Sequence, residues 1–345
     1  MTAPLRLALD RAALQHNWRA LAAMAGVACG AAVKADGYGL GAPGVARVLA
    51  EAGCRDFFVA TWAEAAELAP LGLTVSVLHG VREADMSLAR TLTFARPVLN
   101  SPEQIGRWRA SGGGPCDVMV DTGINRLGLD RNALDAAAGL EITTLMSHLA
   151  RADEDVADNE AQRAAFAAIT GALPAERYSL ANSAGIALGP GFAFDLVRPG
   201  LALYGGIPRA EFARMIRPVA HPEAELLQCR LLRAGDAIGY NAIYHAAEDM
   251  PVGIVNLGYA DGYPRALSNV GRAFAGDAIL PVIGRVSMDL IALDLRAAPD
   301  LRAGDWVRFD FDLPKLAGAS ERSQYELLTG LGTRFERVWT ERTVS

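Results

Sequence analysis

Of the 33 basic side chains in this 345-residue chain only two are lysines, Lys34 and Lys315. Chemistry that needs an amine therefore has two candidates. Lys34 follows Ala31, Ala32 and Val33 and precedes a glycine-rich run, Asp36-Gly37-Tyr38-Gly39. At the mouth of a barrel such a lysine is partly desolvated, which lowers its pKa and frees the amine to form an imine. Arginine cannot do this, because its guanidinium stays protonated. The competing reading is a lysine whose stem lies on apolar surface while its head reaches water. Four further groups invite the same question: Arg126 in DTGINRLG, His148 in SHLARAD, the pair Asn182-Ser183, and Arg198-Pro199-Gly200-Leu201. A serine hydroxyl with backbone amides near Gly200 and Leu201 suits a phosphate. With an amine close by, the set suggests a phosphate-bearing aromatic cofactor. Taken alone, His148 reads equally as a structural histidine and Arg198 as a rim ion-pair residue.

To act together these groups must share one rim. Strand-like runs occur at 28–34, 56–61, 75–80, 93–99, 116–121, 141–148, 177–182 and 194–198, and stretches with helical periodicity such as 43–51, 63–69 and 156–170 separate them. Eight such units predict an α/β fold, a (β/α)8 barrel of the TIM type over residues 1–219. Functional groups then belong at the C-terminal strand ends, where Lys34, Arg126, His148, Asn182, Ser183 and Arg198 fall. A strand-like LRLALD at 5–10 and a helix over 12–24 precede the count, so either one is extra or one strand is miscounted. Beyond a proline-interrupted stretch at 208–222 the pattern becomes strands punctuated by Gly, Pro and Asp, which predicts a mostly-β domain over 220–345.

Composition excludes several classes. With 51% hydrophobic and 21% charged residues the chain can build a core. A net charge of -6 gives no footprint for nucleic acid or an anionic membrane. No apolar run reaches the ~18 residues a membrane span needs. Cys29, Cys54, Cys116 and Cys229 are scattered, so neither a disulfide framework nor a metal site is expected. Residues 21–33 are small and apolar but follow Asp10, His16 and Asn17 rather than a basic segment, so a cytoplasmic location is expected. A small molecule is the default partner.

The chain resembles the alanine racemases, pyridoxal-phosphate enzymes with an N-terminal barrel and a C-terminal β domain. The likeness runs through nine ordered segments: VKADGYGLGA (33–42), DTGINRLGL (121–129), SHLARAD (147–153), ANSAGI (181–186), VRPGLALYGG (197–206), IGYNAIY (238–244), LGYADGYPR (257–265), GRVSMDL (284–290) and YELLT (325–329). The resemblance implies that Lys34 binds the cofactor covalently and is one of two acid/base groups. It implies that Tyr38, Ser183, Gly200, Leu201 and Tyr325 hold the phosphate, that His148 and Asn182 support the ring, and that Arg198 faces the pyridine nitrogen. An arginine has no lone pair to accept a proton there, which weakens the cofactor as an electron sink and favours return of the proton at Cα. The resemblance further assigns the second base to Tyr240, supplied by the partner of a head-to-tail homodimer, and the substrate carboxylate to Arg126, Tyr259 and the Met288-Asp289 backbone. A tyrosine with a reference pKa of ~10 needs a nearby cation to act as a base, and Arg126 or Arg198 could supply it. In isolation Tyr240 and Tyr259 read as ordinary strand aromatics.

One position departs from the family's pattern. Many alanine racemases carry, two residues before DTG, a lysine whose carbamate holds the following arginine; here Met119 stands there. A buried Arg126 would then need another partner, such as a chloride, a carboxylate from another loop or the amide oxygen of Asn125; the alternative is an Arg126 that is solvated and mobile. The function implied is interconversion of L- and D-alanine, supplying D-alanine for cell-wall peptidoglycan. The rivals are a racemase of serine, lysine or arginine, a decarboxylase of similar plan, disfavoured by Tyr240 and Arg198, and a non-catalytic pyridoxal-phosphate carrier, disfavoured by the second domain.

Overall fold

The computed structural model describes residues 3–341. The chain divides into two compact units: Leu14–Arg217, and Pro218 onward together with the N-terminal stretch through Ala13.

In the first unit seven parallel strands pair in chain order: Ala31–Ala32, Asp56–Val59, Thr74–Val77, Ala95–Leu99, Cys116–Met119, Ile142–Met146 and Arg177–Ser179. The eighth, Leu196–Val197, pairs in parallel with Ala28–Cys29, which leads into the first strand. Gly30 N donates to Val197 O at 2.9 Å, Ala32 N to Pro199 O at 2.9 Å, and Arg198 N to Ala181 O at 2.9 Å, so the eighth strand joins the seventh to the first. All eight strands expected from the sequence are present, each shorter than its apolar run. They read as near-continuous apolar stretches because a barrel strand is covered on both faces; Phe57, Phe58 and Val59 are all buried. Gly30 interrupts the first strand, where a Cβ would lie 2.8 Å from both Asp56 O and the Phe58 ring.

The expected helices at 43–51, 63–69 and 156–170 are Ala42–Ala52, Trp62–Glu67 and Ala157–Ala172. Their ends follow local chemistry. Gly53 at φ 118° terminates the first, and Thr61 and Glu64 form a reciprocal capping box at the start of the second. After the fifth strand the connection carries only a 3-10 stretch, Arg131–Ala137.

The second unit is built on one long strand, Ala220–Leu232. Hydrogen bonding runs from it through Trp306–Phe309, Arg272–Ala275, Ala278–Ile283, Ile291–Asp294 and Met250–Val255, then back to its own C-terminal half. This closes a six-stranded antiparallel barrel, the mostly-β domain expected. The register shifts between Leu226 and Gln228, where the long strand passes from one neighbour to the next.

The N-terminal boundary differs from expectation. Leu5–Asp10 was expected within a first domain starting at residue 1; it pairs antiparallel with 220–224 and parallel with Glu336–Thr340. Leu5, Leu7 and Leu9 turn inward on one face, and Arg6 meets Glu223 across the register at 2.5 Å. This strand is the extra one, and it takes the edge of residues 220–224 opposite the one that Trp306–Phe309 pairs with.

Candidate active site

Lys34 stands two residues past the end of the first barrel strand, and the chain then turns left-handed. Ala35, Asp36, Gly37 and Tyr38 have φ of 52°, 52°, 62° and 58°. Gly37 N donates to Val33 O and Gly39 N to Ala35 O, each at 2.9 Å, closing one left-handed helical turn. Each residue with a Cβ costs roughly 1–2 kcal/mol in this conformation, so the surroundings must over-determine it. Glu64 does much of this. Its Oε1 accepts from Ala35 N at 2.8 Å, and its Oε2 accepts from Ala60 N at 2.6 Å and Thr61 N at 3.1 Å. Asp36 Oδ1 accepts from Ala42 N at 2.8 Å. The turn lays the Tyr38 ring on Tyr204, with centroids 4.6 Å apart, and the Tyr204 hydroxyl donates to Ala32 O at 2.7 Å. Burial, then the Arg126 guanidinium, lower the pKa of Lys34, while Glu64 opposes them. A less protonated amine is what imine formation requires.

The remaining rim residues come from strands six to eight. Arg198 is buried; its guanidinium donates to Ser147 O at 2.6 Å and to the Ser179 hydroxyl, and it lies 5.9 Å from the Phe58 ring centroid. Burial brings its pKa down to about 10. His148 is partly buried. Desolvation, followed by Arg198, Arg126 and Lys34, pushes its pKa down to about 3, so its imidazole is neutral at physiological pH. Gln162 anchors this strand end by donating to His148 O at 3.2 Å. Asn182 caps the short helix Ser183–Ile186 through Gly185 N at 2.9 Å. Ser183 Oγ accepts from Gly200 N at 2.9 Å and Ala202 N at 3.2 Å. Among the described residues its own proton reaches no acceptor, which leaves it for an anionic oxygen. At Gly200 a Cβ would lie 2.1 Å from the Tyr38 hydroxyl, so glycine is what lets that hydroxyl approach the loop before Leu201–Tyr204. A desolvated amine, a buried guanidinium and a hydroxyl cradle at Tyr38, Ser183 and Gly200 fit the pyridoxal phosphate that the sequence resemblance implies.

Arg126 fits the solvated alternative. It is exposed, not buried, and among the described residues it makes no hydrogen bond or ion pair. Its loop is organised by Asp121, whose Oδ1 accepts from Gly123 N at 2.8 Å and Asn125 N at 3.2 Å. Asn125 sits at φ 53° and Gly128 at φ 147°, where a Cβ would lie 2.7 Å from Asp121 N. The tight loop thus lifts Arg126 into solvent, whereas Met119 is buried.

The other expected residues lie in the β unit. Tyr240, Tyr259 and Met288 line one recess of about 630 Å³ together with Arg265, Arg285 and Arg322. Tyr240 is 68% exposed and follows Gly239 at φ 79°. Tyr259 N donates to Ser287 O and Ala260 N to Met288 O, each at 3.0 Å, which welds the two loops. The Asp289 carboxylate is held by Arg334 at 2.8 Å, and Arg334 also reaches the buried Asp261 at 2.6 Å. Tyr325 is exposed on helix Gln324–Thr329.

Sequence reasoning missed Glu64, Tyr204, Ser147, Ser179 and the recess arginines. The Thr61-Glu64 spacing of a capping box was readable; that the same carboxylate braces Ala35 was not.

A family model for the alanine racemase N-terminal domain matches residues 9–208, and one for the alanine racemase C-terminal domain matches residues 219–339. The chain is 43% identical to an alanine racemase of Acidiphilium cryptum over 96% of this chain and 98% of that one. It is 42% identical to one of Methylobacterium nodulans over 97% and 96% of the two chains. Among solved structures, an alanine racemase from Bartonella henselae with covalently bound pyridoxal phosphate superposes with a TM-score of 0.86 at 34% identity, covering 99% of this chain and 100% of that one. With both domain models matched in order and relatives aligned end to end, the chain belongs to the alanine racemase family.

Proposed function

We propose that this protein interconverts L- and D-alanine with pyridoxal phosphate. The observation that carries the reading is Lys34: the less-used of the two basic residue types, desolvated at the rim beside a phosphate-suited cradle. When bound, the cofactor supplies an electron sink for the pair left at the substrate Cα. Lys34 would hold it covalently and, once displaced by the incoming substrate amine, its freed amine would move the Cα proton on one face. Tyr38, Ser183, the amides at Gly200 and Leu201, and Tyr325 take the phosphate. His148 and Asn182 would steady the ring, and Arg198 would donate to the pyridine nitrogen without giving up its own proton. Arg126, Tyr259 and the Met288-Asp289 backbone orient the substrate carboxylate.

A single base returns a proton to the face it left, so racemisation needs a second base opposite Lys34. Tyr240, exposed at the recess of the β unit, has that role, contributed by the partner in a head-to-tail homodimer with shared sites. The unit of residues 14–217 carries the cofactor and the β unit the second base. Among the described residues no helix is long and apolar enough to cross a membrane, and we place the enzyme in the cytoplasm, supplying D-alanine for peptidoglycan. Incubating a panel of L-amino acids with the protein and pyridoxal phosphate, then separating enantiomers by chiral chromatography, tests this. Alanine should approach an equal mixture of enantiomers fastest; faster conversion of serine, lysine or arginine would refute the substrate, and no conversion of any would refute the activity.

A further inference from the structure

The β unit holds a carboxylate that the reading above does not use. In LGYADGYPR an acid follows Tyr259 by two residues, and this Asp261 is fully buried. A carboxylate out of water must have its lone pairs taken up by donors. Its Oδ2 accepts from Gly258 N at 2.9 Å, which closes the turn Tyr259–Asp261 on itself, and its Oδ1 accepts from Arg334 Nε at 2.6 Å. Two glycines let this turn lie close against two other segments. A Cβ at Gly258 would sit 2.1 Å from Met288 O, and one at Gly262, with φ 97°, would sit 2.4 Å from Gly330 O. Gly332 N donates to Asp261 O at 3.1 Å.

Arg334 lies outside all nine segments that carry the family resemblance. From the stretch after helix Gln324–Thr329 it extends two arms, Nε to Asp261 and Nη1 to Asp289 Oδ1 at 2.8 Å. One guanidinium thus joins the turn that bears Tyr259 to the loop that bears Met288 and Asp289. That loop is itself closed by Ser287, whose N donates to Leu290 O at 3.1 Å and whose Oγ accepts from Leu290 N at 3.0 Å. Among the described residues the amides of Met288 and Asp289 donate to no acceptor, so both N–H groups remain for an anionic oxygen. The Asp289 end of the bridge is half-exposed, and ion pairs of that kind contribute little stability. What a planar, forked guanidinium adds there is a fixed relation between two loops.

We infer that Arg334 is a positioning residue for recognition of the substrate carboxylate: through Asp261 and Asp289 it holds Tyr259 and the Met288-Asp289 amides in one arrangement. The inference rests on the reading that assigns those groups to the carboxylate. Arg334 acts through the two acids rather than on the substrate itself. Helix Gln324–Thr329, which carries Tyr325, has its own brace in the Ser323–Glu326 capping box, so the phosphate contact proposed for Tyr325 does not depend on Arg334. A lysine would not serve equally, because its ammonium is a point charge without the fork that engages two acids at once. The clamp therefore implies a selective defect when it is cut: the carboxylate of the substrate is bound less well, and its amine as before.

The test separates the two ends of alanine on the protein loaded with pyridoxal phosphate. Propionate, which lacks the amine, is titrated by calorimetry, and ethylamine, which lacks the carboxylate, by the change in visible absorbance of the cofactor. In Arg334→Met, which keeps an unbranched stem without charge, the dissociation constant of propionate should rise about 10-fold, below the ~100-fold that a 1 Å misplacement can cost, while half-saturating ethylamine moves less than about 2-fold. Arg334→Lys, which can engage one acid at a time, should recover part of the loss. A general loosening of the fold would weaken both ligands alike, so equal losses, or a propionate constant that does not move, overturn the inference. If Arg334→Met does not fold, Asp289→Asn decides: it cuts one arm at a half-exposed carboxylate, selective weakening of propionate is expected, and an unmoved constant overturns the clamp. Tyr259→Ala separates the clamp from the reading beneath it. Propionate weakened by Tyr259→Ala but not by Arg334→Met refutes the clamp alone. Propionate unaffected by Tyr259→Ala refutes the placement of the carboxylate at these loops, and the inference falls with it.

Discussion

Gly200→Ala adds one methyl group at the point where the barrel unit is tightest around its cradle. The new Cβ would lie 2.1 Å from the Tyr38 hydroxyl and 2.8 Å from the carbon that bears it. Tyr38 would have to withdraw by roughly 1.4 Å to restore ordinary contact of ~3.5 Å. It has little freedom to do so. Its ring is stacked 4.6 Å from Tyr204, Tyr204 is pinned to Ala32 O, and the Tyr38 backbone is already held at φ 58° by the left-handed turn. Overpacking of this kind costs about 1–3 kcal/mol. Because the displaced group is a proposed phosphate ligand, we expect most of this cost to appear as weaker binding of pyridoxal phosphate, ~5-fold to ~150-fold in Kd. Fluorescence titration of the apoprotein measures it, with the thermal midpoint followed in parallel. Adding Tyr38→Phe removes the atom 2.1 Å away, so the double variant should lose less affinity than the two single losses combined. Wild-type affinity and midpoint in Gly200→Ala, or additive losses in the cycle, would refute the packing argument.

Lys34→Ala should lose the visible band of the bound cofactor near ~420 nm; a borohydride-reducible adduct forming instead at Lys315 would show the site to be misassigned. Glu64 counteracts the lowering of the Lys34 pKa, so Glu64→Gln should lower it further and shift the pH profile of cofactor attachment toward acid; an unshifted profile by stopped-flow absorbance would deny Glu64 that influence. Tyr240→Phe should slow exchange of the Cα proton from one alanine enantiomer far more than from the other, and equal losses in deuterium exchange would make Tyr240 structural. Mixing inactive Lys34→Ala and Tyr240→Phe subunits should restore part of the activity through one intact site per mixed dimer, and no recovery after confirmed subunit exchange would argue for a site within one chain.

What could be read from the sequence was what the local chain dictates. A strand covered on both faces must be apolar throughout, so the eight runs from 28–34 to 194–198 declared themselves, and the scarcity of lysine singled out Lys34 before any fold was known. Membership across units was not legible. LRLALD has the pattern of a strand, but nothing in six residues says which sheet it joins; only its pairing with 220–224 and with Glu336–Thr340 does. The left-handed turn was half visible. Gly37 and Gly39 mark it, whereas Ala35, Asp36 and Tyr38 enter a conformation that their types disfavour, because Glu64, 29 residues from Ala35, holds the turn in place. For Arg126 the sequence left two states open, held or solvated, because the family pattern around it is built on a lysine this chain lacks. With Met119 in that place no anion is tethered there to draw the guanidinium inward, and the Asp121 loop is free to close on its own amides and leave Arg126 outside.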